Sequence, residues 1–264
     1  MRESSLHKMA AEVGDDAPLL SSKVLFSGLS FALFGVCGLL LSVSVFPLLY
    51  LLPGGAQLRR RRARRLLGSL FPAYVRFMER CGLIRVQALA PERLGGGGQL
   101  IIANHPSLLD VVYLIALVGD TNCVVKSSLF YNPFTAGTVR AAGYIRNDSA
   151  SLLQECAAAL AAGDNLVVFP EGTRTDPHKP FRFLRGTANI ALAARCDIRP
   201  VVIRCCPARL MKHQAWYEMS TQTLAVSLEV RQPIAIAPYL ADQGLRGRMS
   251  RRLTADLEAY YRAC

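Results

Sequence analysis

From Val24 to Gly55 the chain runs without a charged side chain, VLFSGLSFALFGVCGLLLSVSVFPLLYLLPGG. An α-helix needs about 20 apolar residues to cross a hydrocarbon core about 30 Å thick, so this stretch belongs in or on a bilayer. Pro47, Pro53 and several glycines leave two arrangements open: one crossing helix, or a re-entrant pair of short helices in one leaflet. Directly after it comes RRRRARR, with Arg59, Arg60, Arg61, Arg62, Arg64 and Arg65. Arginines beside an apolar run are retained in the cytoplasm and drawn to anionic headgroups, so the rest of the chain is expected on the cytoplasmic face of a membrane. A cleaved signal peptide fits worse, because the run is too long, no small-residue cleavage site follows it, and the arginines oppose export.

With 264 residues in all, the chain has room for one sizeable domain beside this segment. The division expected is a polar tail at 1–23, the membrane segment at 24–55, a basic amphipathic stretch at 56–82 and a catalytic-sized domain at 83–264. Lys and Arg outnumber Asp and Glu by 31 to 19, a net charge of +12, which favours anionic partners such as phosphorylated substrates or a membrane surface. A nucleic-acid partner is not expected, since a basic arm for nucleic acid would not sit against a membrane segment. The eight cysteines are scattered through apolar runs without CxxC spacing and read as reduced core thiols. No metal site is expected, because His7, His105, His178 and His213 never approach a cysteine or one another at ligand spacing.

From residue 83 onward short β-type runs alternate with helical patterns, which predicts an α/β fold with a largely parallel central sheet flanked by helices. The strand candidates are Leu83 to Ala90, Leu100 to Ala103, Cys123 to Lys126, Asn165 to Phe169, Ile198 to Arg204 and Leu224 to Ile236. The helix candidates are Ser107 to Val118, Ser151 to Ala162, Gly186 to Ala194 and Leu245 to Tyr261. LLDVVYLIALVG is too short for a second span and carries Asp110, so it reads as a buried core helix.

Two strand ends concentrate the polar chemistry. In LIIANHPSLLD a buried strand runs into His105 and then into a helix, with Asp110 in its first turns; strand ends of this kind are where open α/β sheets bind ligands. Histidine is suited to accept a proton at neutral pH, and a carboxylate on its other ring nitrogen would fix the tautomer. The competing reading is a capping box, Ser107 with Asp110, in which the carboxylate only satisfies backbone donors. In NLVVFPEGTRTD a second strand ends in a charged turn, where Gly172 permits close backbone approach and Arg174 offers a donor fork suited to phosphate. Lys179, Arg182 and Arg185 follow as an anion-binding rim.

These residues carry a family resemblance. NHPSLLD resembles the NHxxxxD block and FPEGTR the FPEGTR block of the glycerolipid acyltransferases that include 1-acylglycerol-3-phosphate acyltransferase. The segment between them, with Lys126 and with Gly143, Ile145 and Arg146 in a GxIR arrangement, is similar to the family's intermediate segment. The similarity extends over about Leu100 to Ile203, with Gly186 and Pro200 at matching places. The resemblance implies a glycerophosphate-acyltransferase-like fold and a membrane-bound O-acyltransferase. His105 would be the general base and Asp110 would orient it. Glu171, Gly172, Thr173, Arg174, Arg146 and Lys126 would bind substrate. Acyl-CoA or acyl-carrier protein would serve as co-substrate, without further cofactor, and a lysophospholipid as acceptor, 1-acylglycerol-3-phosphate by default; the alternatives are another lysolipid or specialised acceptor, or a non-catalytic lipid-binding membrane protein of the same fold. The family usually places an acidic residue and then arginine a few positions after the glycine of the second block, whereas Arg146 here comes early and Asp148 follows it. The acceptor is the part of the reading this departure touches. GxSxG, GxGxxG, Walker A and HExxH patterns are absent from the sequence, which removes the commonest serine-hydrolase, dinucleotide, nucleotide and zinc-protease readings.

Overall fold

A computed structural model describes residues 20–176, 179–207, 223–241 and 246–264; His7, His178, His213, Leu245 and nearly all of the expected polar tail fall outside them. Among the described residues seven strands form one sheet in the order β1-β7-β6-β2-β5-β3-β4. They are β1 (Ile84–Leu89), β2 (Leu100–Ala103), β3 (Thr121–Val125), β4 (Ile145–Arg146), β5 (Asn165–Val168), β6 (Ile198–Cys206) and β7 (Leu224–Val230). Every pairing is parallel except β6 with β7, so the expected largely parallel sheet is observed. All four residues of β2 and all four of β5 are buried, which is why both read as unbroken apolar runs: a parallel strand covered by helices on both faces has no solvent side.

The helices are α1 (Leu20–Leu40), α2 (Ala56–Arg80), α3 (Asp110–Val118), α4 (Ala136–Ala142), α5 (Leu152–Ala161), α6 (Gly186–Ala194), α7 (Ala237–Ala241) and α8 (Arg246–Arg262). Strand residues alternate between two cores. Ile101, Ala103 and Val167 pack with Leu67, Met78, Tyr113 and Ile115 beneath α2 and α3, while Leu100, Ile102 and Val168 pack with Ile190, Leu253 and Leu257 beneath α6 and α8. The α3 helix begins at Asp110, three residues later than expected, because Ser107 spends its donors on the Asp110 carboxylate. The β7 strand ends at Val230 instead of continuing to Ile236. Pro233 has no N–H to give to the ladder, and the chain rejoins the sheet only through a bridge between Ile198 and Ile234.

The apolar segment is a helical rod. After α1 a π-helical stretch, Leu41–Val45, and a last α-turn, Phe46–Leu48, complete it; its 26 residues from Lys23 to Leu48 are long and apolar enough to cross a membrane. It does not stand free of the domain. Ser30 Oγ lies 2.8 Å from Tyr74 Oη on α2, the Phe34 ring is 6.1 Å from Phe71 and 5.4 Å from Tyr74, and Gly38 and Ser42 meet the 134–137 segment. The crossing is so close that a Cβ on Gly137 would lie 2.2 Å from Ser42, and one on Gly38 would lie 2.5 Å from the Phe134 carbonyl oxygen.

The arginine run makes ion pairs and hydrogen bonds within the protein. The Arg64 side chain, 2% exposed, sits 3.0 Å from Asp120 and 2.9 Å from Asp164, Arg61 pairs with Asp164 at 3.0 Å, and Arg65 with Asp120 at 3.1 Å. Asp120 and Asp164 immediately precede β3 and β5, so these arginines weld the start of α2 to the end of the sheet opposite His105. On the other side, Arg59 and Arg62 donate to the carbonyls of Gly54 and Pro53 and close the turn between the first two helices.

Candidate active site

The two polar strand ends meet because of register. β2 and β5 pair in parallel as Leu100 with Leu166, Ile101 with Val167 and Ile102 with Val168, a constant offset of 66 positions. Carried three residues past the last pair, Ile102 with Val168, the same offset brings His105 to Glu171. The His105 backbone N–H donates to Glu171 Oε1 at 2.9 Å, again at a separation of 66. Neighbouring parallel strands that leave the sheet at the same level deliver their loops to one crevice, the usual ligand position in this architecture.

Asp110 is fully buried and serves two purposes at once. Its Oδ2 lies 2.8 Å from His105 Nδ1 and accepts the Ser107 backbone N–H at 2.7 Å, while its Oδ1 accepts the Ser107 hydroxyl at 2.6 Å. The capping box and the histidine pair are therefore not alternatives; the cap fixes the carboxylate that the histidine uses. With Nδ1–H directed at Asp110, the unprotonated nitrogen is Nε2, the atom that can take a proton from a reactant. The His105 side chain is 17% exposed, enough for a substrate to reach it. The Phe169 ring stacks on the imidazole with centroids 4.3 Å apart, which limits ring rotation.

The backbone around His105 is held as well. The Asn104 side chain donates to the Ile203 carbonyl at 2.8 Å and accepts the Ile203 N–H at 2.8 Å, continuing the β2–β6 ladder with an amide side chain. Thr175 N–H donates to the His105 carbonyl at 2.7 Å, and Thr175 Oγ1 donates to Glu171 Oε1 at 2.9 Å. Burial pushes the Glu171 carboxyl above its ordinary range, opposed by these same donors.

The other expected site residues spread across the sheet. Gly172 has a left-handed φ of +66° and closes a turn onto the Phe169 carbonyl, a conformation glycine adopts without strain. Thr173 is exposed beside it and Arg174 is half-buried on the same loop. Lys126 is exposed at the end of β3. Arg146 lies on β4, with β5 and β3 between it and β2, about 14 Å across the sheet at about 4.8 Å per strand. Its guanidinium is engaged bidentately by Asp148 at 3.0 and 3.2 Å, and it lies over the rings of Phe130 and Tyr131. The structure thus gathers His105, Asp110, Glu171 and the Gly172–Arg174 turn, and leaves Lys126 and Arg146 on the far flank. Asn104, Phe169 and Thr175 were not singled out from the sequence, although Asn104 and Phe169 are the first residues of the two recognised blocks and Thr175 directly follows the second.

Residues 84–204 match the family model described as Acyltransferase. Among curated proteins, the 1-acyl-sn-glycerol-3-phosphate acyltransferase of Helicobacter pylori is 36% identical over 123 residues, covering 42% of this chain and 52% of that protein. A putative 1-acyl-sn-glycerol-3-phosphate acyltransferase of Caenorhabditis elegans is 35% identical over 115 residues, covering 40% of each chain. The chain thus spans about half or less of the length of these relatives. The crystal structure of the 1-acyl-sn-glycerophosphate acyltransferase from Thermotoga maritima superposes with a TM-score of 0.65 over 92% of this chain and 98% of that one, at 18% identity, which establishes the shared fold. The crevice that unites His105, Asp110 and the Glu171 loop lies within residues 84–204, the stretch that is similar to the Acyltransferase family.

Proposed function

We propose that this chain is a membrane-associated O-acyltransferase that moves a fatty acyl group from acyl-CoA or acyl-carrier protein to a lysophospholipid, with 1-acylglycerol-3-phosphate as the default acceptor and phosphatidic acid as product. The observation that carries this reading is the His105–Asp110 pair, 2.8 Å apart at the mouth of the β2–β5 crevice. His105 Nε2 takes the proton of the acceptor hydroxyl as that oxygen attacks the thioester carbonyl. The C–S bond then breaks, and the departing thiolate takes the proton back from the imidazolium, leaving an ester and a free thiol. The buried Asp110 carboxylate stabilises the imidazolium in between. Arg174, one strand from His105, is the residue best placed to meet a phosphate close to the reacting hydroxyl, with Lys126 and Arg146 serving more distant parts of the substrates.

The anchor fits a bilayer-resident acceptor. Leu25, Leu29, Leu33, Val36, Leu40 and Val43 are all exposed, at the three- and four-residue spacing of one helical face. The opposite face, from Ser30 to Ser42, lies on the domain over about 18 Å of helix at 1.5 Å per residue. A helix bound along that length to a polar domain cannot be surrounded by lipid through a core of about 30 Å. We read it as lying lengthwise in one leaflet, with the domain on the cytoplasmic face, where its eight cysteines stay reduced.

The test is a panel of labelled acyl-CoA and acyl-carrier protein against lysolipids with and without a phosphomonoester, using wild type and Arg174→Ala. The reading expects transfer to lysophosphatidic acid and a rise in its KM of at least ten-fold in the variant. Transfer only to acceptors without a phosphomonoester, unaffected by Arg174→Ala, would overturn the acceptor assignment.

A further inference from the structure

Glu171 stands in the loop that the resemblance assigns to substrate, yet its carboxylate turns inward. One carboxylate oxygen, Oε1, accepts the His105 backbone N–H at 2.9 Å and the Thr175 hydroxyl at 2.9 Å, and the Thr175 N–H closes the circuit on the His105 carbonyl at 2.7 Å. Both backbone polar groups of His105 are therefore held by a loop that enters from the neighbouring strand. Phe169 of the same loop stacks on the His105 ring at 4.3 Å, and the Asn104 amide fixes the preceding residue to β6.

The circuit answers a geometric need. Between the end of β2 at Ala103 and the start of α3 at Asp110, His105 has no ladder partner of its own, and Pro106 supplies no N–H to the turn. A free turn here would let Nε2 wander over distances that abolish proton transfer, since a general base works only within about 2.6–3.2 Å of the proton it takes. Asp110 fixes where Nδ1 points. It does not fix where the histidine backbone sits.

We propose that Glu171 and Thr175 form a clamp on the His105 backbone and are positioning residues for the general base, with the carboxylate serving as a two-donor acceptor and not as a contact to the acceptor substrate. The proposal rests on His105 being the general base. It assigns the polar residues of the loop to two separate duties: Glu171 and Thr175 hold the base, and the Gly172–Arg174 turn faces the substrate. It also requires an oxygen acceptor at position 171, because a side chain without one would leave the part-buried His105 N–H without its partner.

The experiment uses the full chain in vesicles, with labelled acyl-CoA and lysophosphatidic acid, and compares Glu171→Ala, Glu171→Gln, Thr175→Val and the Glu171→Ala/Thr175→Val double variant. The clamp predicts that Glu171→Ala lowers kcat about 100-fold with acceptor KM within two-fold of wild type. Glu171→Gln, which keeps an oxygen acceptor in place, should recover at least ten-fold of that loss. Thr175→Val should lower kcat about five-fold, and the double variant should be no worse than Glu171→Ala, because both changes break one unit. An acceptor KM raised ten-fold with kcat retained would make Glu171 a substrate contact and overturn the clamp. A Gln variant as inactive as Ala would show that the charge is required and overturn it too. Amide hydrogen exchange supplies a readout independent of turnover: the peptide spanning 103–110 should exchange at least ten-fold faster in Glu171→Ala than in wild type or Glu171→Gln. Unchanged exchange in Glu171→Ala refutes the clamp even if no lysolipid proves to be a substrate, whereas faster exchange without any wild-type turnover would sustain the clamp and reject the proposed reaction.

Discussion

Replacing Asp110 by asparagine separates the two tasks this carboxylate performs. The amide is nearly isosteric: its oxygen can stay opposite His105 Nδ1 and Ser107 N, at 2.8 and 2.7 Å in the native arrangement, while its NH2 takes the Oδ1 position and donates to a rotated Ser107 hydroxyl. The cap therefore survives. Its three hydrogen bonds lose only their charge assistance, from roughly 1.5–3 kcal/mol each to about 1, and much of that is offset because a charge no longer has to be buried. A net destabilisation of about 1–2 kcal/mol is expected in thermal or denaturant unfolding. The base loses much more. An imidazolium and a carboxylate whose charge centres are about 4 Å apart attract by about 4 kcal/mol at an effective dielectric of about 20, and about 1.4 kcal/mol corresponds to a ten-fold change in rate. The expected kcat for acyl transfer is therefore about 1,000-fold lower in Asp110→Asn, with substrate KM little changed. A variant that loses 2 kcal/mol of stability but retains kcat within three-fold would show that Asp110 is only a helix cap, and the catalytic pairing would be wrong.

Three further outcomes follow from the fold. Arg64→Met removes the 2% exposed centre of the ion-pair weld; breaking a buried pair costs about 3–5 kcal/mol, and the lower figure applies because Arg61 and Arg65 still meet Asp164 and Asp120, so a chemical-denaturation change below 0.5 kcal/mol, on the order of an exposed pair, would refute the weld. Leu29→Glu places a charge in the exposed stripe of α1 and is expected to weaken co-sedimentation with vesicles at least ten-fold, since an acidic residue at hydrocarbon depth costs roughly 2–3 kcal/mol; undiminished binding would move the membrane contact elsewhere. Burial pushes the Cys123 and Cys156 thiols up to about 12, so both should stay unmodified by a maleimide at pH 8 in the native state and react only after unfolding; rapid native labelling of either would contradict its burial.

The sheet was legible where burial on both faces forced an apolar run, as at β2 and β5, and where a helix carried a continuous apolar face, as at α6 and α8. The short elements were not. β4 has only Ile145 and Arg146, too few for a period, and α4 reads AGTVRAA, whose glycine answers the close approach of Ser42 more than any helical preference. Pro233 was visible in the sequence, but its power to end β7 depended on a ladder bond that only the sheet reveals. The arginine run was legible as charge and not as structure, because its partners Asp120 and Asp164 are 55 to 103 positions away. The site divided in the same way. His105 and Asp110 are local and carry their chemistry in their spacing, and the structure added that Ser107 belongs to the same unit. The offset of 66 that makes Glu171 a partner of the His105 backbone is a property of strand register, which neither block encodes alone. Arg146 was placed with the phosphate contacts by motif order, and its bond to Asp148 follows from a two-residue spacing that was noticed without its geometry.

The most direct measurement is acyl transfer by vesicles containing the full chain, supplied with labelled acyl-CoA and lysophosphatidic acid, beside the same chain carrying His105→Ala. The account predicts formation of labelled phosphatidic acid by wild type and a loss of at least 1,000-fold in the variant, with the variant's thermal unfolding within a few degrees of wild type. Turnover retained by a folded His105→Ala protein would contradict the central claim that this histidine, set by Asp110 at the end of β2, is the base that starts the reaction.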